Sequence, residues 1–398
     1  MIPVYFSRPA VFCAAGSNID ELWESVVSGN QNGICRVKAL NGKEFFAARI
    51  ADGLLKKSGG RYDMRIIRIE EQTVRQLEKE IELVKNKYGE KRVGVCVGSC
   101  DNGTEFSLAG HREYFARGEF PEGYSLEIQG ADYVASFITE KYGLHGPSLV
   151  FETACSSSAG AIIKAAELIR SGICDAVVAG GIDIASDTVL VGFDSLEAIS
   201  SEITNPFSKN RHGITLGEAG AFFVMTKDVL DGNLPVQLLG YGESADAYHM
   251  TSPDPSGNGA MRAMKKALSA AGIKPEEVDY INLHGTGTKY NDSMEAKAVF
   301  SVFGENKVPA STTKPVTGHT LGAAGALEAA LCFACIEKNY GREEICLPVQ
   351  VWDRQQDSEM PALNIVDENS KNSGKVKICL SNSFAFGGAN SSLIIGIK

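Results

Sequence analysis

A tight loop that leads into a helix of small residues occurs twice in this chain, and the repetition limits the folds open to it. In the first half the apolar run Ser148-Leu-Val-Phe-Glu152 enters Thr153-Ala-Cys155-Ser-Ser-Ser-Ala-Gly160. In the second, Gly318-His-Thr-Leu-Gly-Ala-Ala-Gly325 opens a helical pattern from Leu321 to Glu337. A duplicated fold with two facing helix N-termini accounts for the echo. Apolar residues at Ala159, Ile162, Ile163, Ala166 and Ile169 recur with helical period, which places Cys155 at the start of its helix. Unpaired N–H groups and the positive end of the macrodipole favour an anion there. The expectation is a depressed thiol pKa and a thiolate available near neutrality.

Cys155 is one of ten cysteines. Cys13, Cys35, Cys96, Cys174, Cys346 and Cys379 lie singly in apolar or strand-like surroundings and read as small core hydrophobes. Cys332 and Cys335 form a C-x-x-C inside a helical pattern, with no second pair or nearby histidine to complete a zinc site. Packing explains them, and no metal is expected. Only Cys155 has a neighbourhood of serines and small residues suited to a nucleophile.

With 398 residues, 44% of them hydrophobic, the chain can bury an ample core without disulfides. Unevenly spaced cysteines and the lack of a charged-then-apolar leader fit a reducing cytoplasm. Charges at Lys164, Glu167, Arg170 and Asp175 interrupt the longest apolar candidate, so no membrane span is expected. A net charge of −10 argues against a general nucleic-acid binder, which needs a basic face to meet phosphates.

The periodicity predicts strands near Val93 to Gly98, Ser148 to Glu152, Ala176 to Ala179 and Ala221 to Met225, with helices near Arg65 to Lys87 and Cys155 to Ser171. A second series follows: strands at Val236 to Gly240, Tyr280 to Leu283, Val376 to Leu380 and Ser392 to Ile397, and helices at Asn258 to Ala271, Ser293 to Phe303 and Leu321 to Glu337. This is an α/β chain. Turn chemistry at Asp231-Gly-Asn-Leu-Pro235 divides it into halves 1–232 and 233–398, joined too closely to swing apart.

Two of the six histidines sit in loops rich in Gly and Thr: Asn282-Leu-His284-Gly-Thr-Gly-Thr288 and Lys314-Pro-Val-Thr-Gly-His319. His111, His145 and His212 read as ordinary surface or core residues. Glycine lets backbone approach a ligand closely, which sets His284 and His319 apart. Asn382-Ser-Phe-Ala-Phe386-Gly-Gly-Ala-Asn390 adds paired glycines whose backbone N–H groups suit an oxyanion hole.

These segments together, with Asp292, Glu295 and Asp246-Ala-Tyr-His-Met-Thr-Ser-Pro253, resemble the chain-elongating β-ketoacyl-acyl-carrier-protein synthases, the Cys-His-His class of the thiolase-fold condensing enzymes, over nearly the whole chain. The resemblance implies a layered αβαβα architecture with two mixed five-stranded sheets. It also implies decarboxylative Claisen condensation of an acyl-enzyme with malonyl carrier, giving 3-oxoacyl carrier and CO₂ in fatty-acid or specialised polyene or polyketide-type lipid synthesis. Cys155 would be the nucleophile, His284 and His319 the decarboxylation pair, and Lys314 and Glu328 the associated lysine and its acidic partner or a structural ion pair. Cys155 and Phe386 N–H groups would form the oxyanion hole, with the Phe386 ring as gate. Thr286, Thr288, Thr251, Ser252, Phe384 and Phe193 would line the channel, and Asp101 the far end of the acyl pocket. No bound cofactor is implied, since acyl groups arrive on the phosphopantetheine of an acyl carrier protein.

Lys56, Lys57, Arg61, Arg65 and Arg68 offer a basic spot for an acidic carrier, against the simpler reading of a solvated helix face. A homodimer is implied, or a heterodimer with a related ketosynthase subunit. Ala385, where relatives often carry glycine, is expected to restrict the gate. A cysteine hydrolase would not call for a second loop histidine with a lysine. A degradative thiolase needs a second cysteine in the tail loop, and an initiating synthase would resemble Cys-His-Asn. The remaining alternative, a non-catalytic chain-length-factor-like partner subunit, typically lacks the nucleophile present here.

Overall fold

The computed structural model describes residues 2–57, 63–305, 308–370 and 374–398. In the first half, strand Val93–Gly98 pairs in parallel with Ser148–Phe151 and Ala176–Asp183, and the latter runs antiparallel to Ala219–Thr226. The second half repeats this order. Tyr280–Asn282 is parallel to Pro309–Ser311 and Ile378–Phe384, and the last is antiparallel to Ala389–Gly396. Ala10–Cys13 completes five positions in the first sheet, while Gln237–Ala245 and a two-residue edge strand, Asn364–Ile365, extend the second. Tyr5–Phe6 pairs with both halves and fuses the sheets into one path.

Side-chain alternation explains the layers, because successive strand residues face opposite sides. Val93, Val95, Val97, Ala176 and Val178 face the outer helices Arg65–Val74, Glu78–Tyr88 and Tyr133–Tyr142. Cys96, Val177 and Ala179 face inward, where they meet helices Ser157–Arg170 and Ala324–Asn339. Ile281, Leu380 and Ile394 cover the opposite outer layer, helices Asn258–Ala271 and Lys289–Phe303. The order is therefore α, β, α, β, α. Ala324–Asn339 is buried almost all round, as a central helix must be. At Gly325 an added Cβ would meet Ala159 N at 2.8 Å, so the two central helices touch backbone to backbone.

Several expected boundaries shift. The pattern Arg65 to Lys87 breaks at a 3₁₀ turn, Arg75–Leu77. Helix Lys289–Phe303 begins four residues earlier than expected, capped by the Thr288 hydroxyl accepting from Asn291 N–H. A small sheet of Ile34–Lys38, Glu44–Ala48 and Leu216–Gly217 was not legible in the sequence. Cys35 and Cys346 are exposed rather than in the core, whereas Cys332, Cys335 and Cys379 pack together inside it.

Candidate active site

Both catalytic loops are built on the same turn. A 3₁₀ turn, Ala154–Ser156, precedes helix Ser157–Arg170, and a second, Leu321–Ala323, precedes Ala324–Asn339. The first residue of each, Ala154 (φ +51°) and Leu321 (φ +54°), occupies the left-handed region. Such a conformation costs about 1–3 kcal/mol in a non-glycine residue and persists only where surroundings hold it. The serines supply that hold. Ser156 Oγ donates to Thr153 O at 2.8 Å, and Ser157 Oγ donates to Ala154 O at 2.6 Å and accepts from Thr153 N–H at 2.9 Å. Ser158 Oγ crosses to the other half and accepts from Ala326 N–H at 2.8 Å.

The twin turns and the loop after strand Tyr280–Asn282 bring Cys155, His284 and His319 together, the sulfur and one nitrogen of each ring within 4.8 Å of one another. His319 Nε2 lies 3.0 Å from Cys155 Sγ, and the two imidazole rings meet edge to face with centroids 5.3 Å apart. Backbone fixes each ring. His319 N–H donates to Thr215 O at 2.7 Å and its carbonyl accepts from Gly217 N–H at 2.9 Å. The His284 loop hangs from Glu295, whose two oxygens accept from His284 and Gly285 N–H at 2.8 and 2.7 Å. Asp292 accepts from Gly287 and Phe207 N–H in the same way.

Burial governs the electrostatics. It drives both histidines well below the usual imidazole range, and the Lys314 charge pushes the same way, so each ring is neutral. It also pushes the Cys155 thiol up to about 11, against the lowering effects of Lys314 and the Phe386 N–H at the sulfur. This corrects the expectation of a resting thiolate: a helix N-terminus contributes ~2 kcal/mol at most, less than desolvating a sulfur anion in this enclosure. Lys314 and Glu328 form a fully buried ion pair outside the cavity lining. Burial raises the Glu328 carboxyl to about 7 although Lys314 opposes it. With Lys314 acting on all three of Cys155, His284 and His319, a dication would meet a fixed positive charge beside it.

A cavity of about 350 Å³ opens onto the sulfur. Thr286, Thr288, Thr251, Ser252, Phe384, Phe386 and Phe193 all line it, and the Phe193 and Phe386 rings stand 5.8 Å apart. Ala385 is extended (φ −100°), and the left-handed conformations fall on Gly387 and Gly388, so the alanine carries no strain here. His212, read from sequence as an ordinary residue, lines the cavity as well. Asp101 does not. It is buried outside this lining, accepting from the Tyr133 hydroxyl at 2.6 Å and from Gly103 N–H at 2.9 Å.

The basic stretch is also revised. Arg65 is 9% exposed and spent on Glu218, Asp52 and the Ile50 carbonyl, because a buried guanidinium must be paired. Arg68 pairs with Asp63 at 2.6 Å. Lys56 and Lys57 are exposed, and Arg61 lies outside the described residues. One acid the sequence gave no signal for, Asp183, sits beneath the second turn. Its Oδ2 accepts from Cys100 N–H at 2.9 Å and Gly322 N–H at 2.8 Å.

A cysteine and two neutral histidines at the foot of a tunnel, on a duplicated thiolase-type scaffold, define the class, and the chain belongs to the β-ketoacyl synthase family. Its N-terminal domain description matches residues 10–229 and its C-terminal domain description residues 236–344. The chain is thus a condensing enzyme, an acyltransferase. It is 32% identical to 3-oxoacyl-[acyl-carrier-protein] synthase 2 of Coxiella burnetii, over 96% of this chain and 95% of that protein. Identity to the synthase 2 of Vibrio cholerae is 29%, over 95% of each. Among solved structures, that of a ketosynthase in complex with its chain length factor from Xenorhabdus doucetiae matches with a TM-score of 0.90 and 35% identity, covering 100% of this chain and 98% of that one. A β-ketoacyl synthase from Burkholderia phymatum matches with a TM-score of 0.84 and 26% identity, each chain being covered in full. No helix among the described residues is long and apolar enough to cross a membrane.

Proposed function

We propose that Cys155, His284 and His319 divide a ping-pong condensation between them. The observation that carries this is the 3.0 Å approach of His319 Nε2 to the cysteine sulfur beside a second neutral imidazole. Cys155 Sγ attacks the acyl thioester and its proton passes to the departing carrier thiol, with both imidazoles neutral throughout. Malonyl carrier then enters and loses CO₂, and N–H groups of the two imidazoles donate to the enolate oxygen. The carbanion attacks the acyl-Cys155 carbonyl, whose oxyanion is received by the N–H groups of Cys155 and Phe386; its collapse breaks the acyl C–S bond, releases 3-oxoacyl carrier and leaves the Cys155 sulfur to regain a proton from solvent. Lys314 supports this by position, keeping both rings neutral. The intact Cys-His-His set disfavours the non-catalytic partner-subunit reading.

Cys155→Ala is expected to abolish condensation with the fold retained. His284→Ala or His319→Ala should depress malonyl decarboxylation far more than self-acylation. An active Cys155→Ala enzyme, or equal losses in both steps, would overturn the assignment.

The acyl groups arrive on an acyl carrier protein that docks near Lys56 and Lys57. Strand Ser148–Phe151 is an open sheet edge, with Leu149 exposed on it and Phe115 and Leu126 exposed elsewhere in the same half. An unprotected edge of this kind is a template for pairing. A chain of the same fold covers it, either a second copy or a related subunit such as the chain length factor in the Xenorhabdus complex.

A further inference from the structure

We propose that Asp183 is a positioning residue for the condensation, one carboxylate that ties the second catalytic turn to the strand ends of the first half. The inference rests on the roles given above to Cys155 and His319. Asp183 ends the strand Ala176–Asp183 and is 1% exposed. Its Oδ2 takes Gly322 N–H, in the turn that follows His319, and Cys100 N–H, at the end of the neighbouring strand; its Oδ1 takes Ile184 N–H at 3.1 Å. The Cys100 sulfur in turn lies 3.9 Å from the Ser157 hydroxyl, which braces the Cys155 turn.

The fit is close on every side. Two residues earlier, a Cβ on Gly181 would stand 2.5 Å from Ser158 Cβ and 3.1 Å from Ala323 Cα, so this strand end touches both turns at once. A Cβ on Gly322 would stand 2.8 Å from Asp183 Oδ2 and 2.9 Å from Cys100 N. Asp183 thereby bonds to both halves, to Gly322 in the second catalytic turn and to Cys100 at the strand end beside the first.

The titratable groups facing Asp183 are Asp101, Cys100, Tyr133 and Cys155, with no cation among them. Burial first, then Asp101, raises the Asp183 carboxyl to about 7 against three N–H donors.

The test uses the full chain and reads kcat for condensation against KM for the acyl carrier. Asp183→Asn keeps one acceptor oxygen and removes the other. It should lower kcat for condensation at least tenfold with KM for the acyl carrier within twofold. Gly322→Ala disturbs the same contact from the other side, and should lower kcat in the same way; it also serves if Asp183→Asn does not fold. Wild-type kcat in a folded Asp183→Asn or in Gly322→Ala refutes the positioning role. Failure of the Cys155 assignment would show separately, as activity in Cys155→Ala.

Discussion

Replacing Lys314 by methionine separates catalysis from scaffolding in the buried pair with Glu328. Both side chains are almost wholly inaccessible, at 1% and 4% exposure. Removing one partner of a buried pair leaves the other charge without compensation, which costs about 3–5 kcal/mol. At ~2.1 cal/mol/K per residue over 398 residues, this is a fall in Tm of about 4–6 °C.

The loss should depend on pH, with a sign fixed by Glu328. Its carboxyl titrates at about 7 in the native protein, against ~4.3 when unfolded, so the folded state retains a proton that the unfolded state has lost. That contribution to stability is present at low pH and disappears as pH rises to about 7. In Lys314→Met the lowering influence of the lysine is gone and the native pKa climbs further. The deficit relative to wild type then grows above pH 7 by about 1.4 kcal/mol per pH unit until the new pKa is reached.

Calorimetry at pH 6 and pH 8.5 should show the widening gap, and CO₂ release from malonyl carrier should fall at least a hundredfold. The double variant Lys314→Met/Glu328→Leu removes both charges and should recover most of the lost Tm without recovering decarboxylation. Recovery of both would make the pair scaffolding alone. An unchanged Tm in Lys314→Met would refute the burial argument itself.

Lys56→Glu/Lys57→Glu should raise KM for the acyl carrier severalfold at unchanged kcat, with the effect shrinking as salt screens it; an unchanged KM refutes docking there. Light scattering on the wild-type chain should give about twice its 42.5 kDa mass, and Leu149→Lys at the open sheet edge should shift it to monomer. A wild-type monomer would leave a related subunit as the partner of that edge, and a dimeric Leu149→Lys chain would refute pairing through it.

Local chemistry was enough to locate Cys155, His284 and His319, the glycine-rich loops, and the twin strand-to-helix turns. Each is written in consecutive residues whose spacing obeys one turn or one helical period. The alternation of Val93, Val95 and Val97 likewise marked a buried strand before any fold was known. Tertiary structure alone decided the charge states and the fate of single ionisable residues. Nothing beside Arg65 in the chain announces Glu218, 153 positions away, which turns a candidate docking residue into a buried anchor. Tyr133 engages Asp101 from 32 positions away in the same manner. The resting form of Cys155 follows the same rule. A helix N-terminus is legible in sequence, but the desolvation that outweighs it depends on which distant segments close over the sulfur.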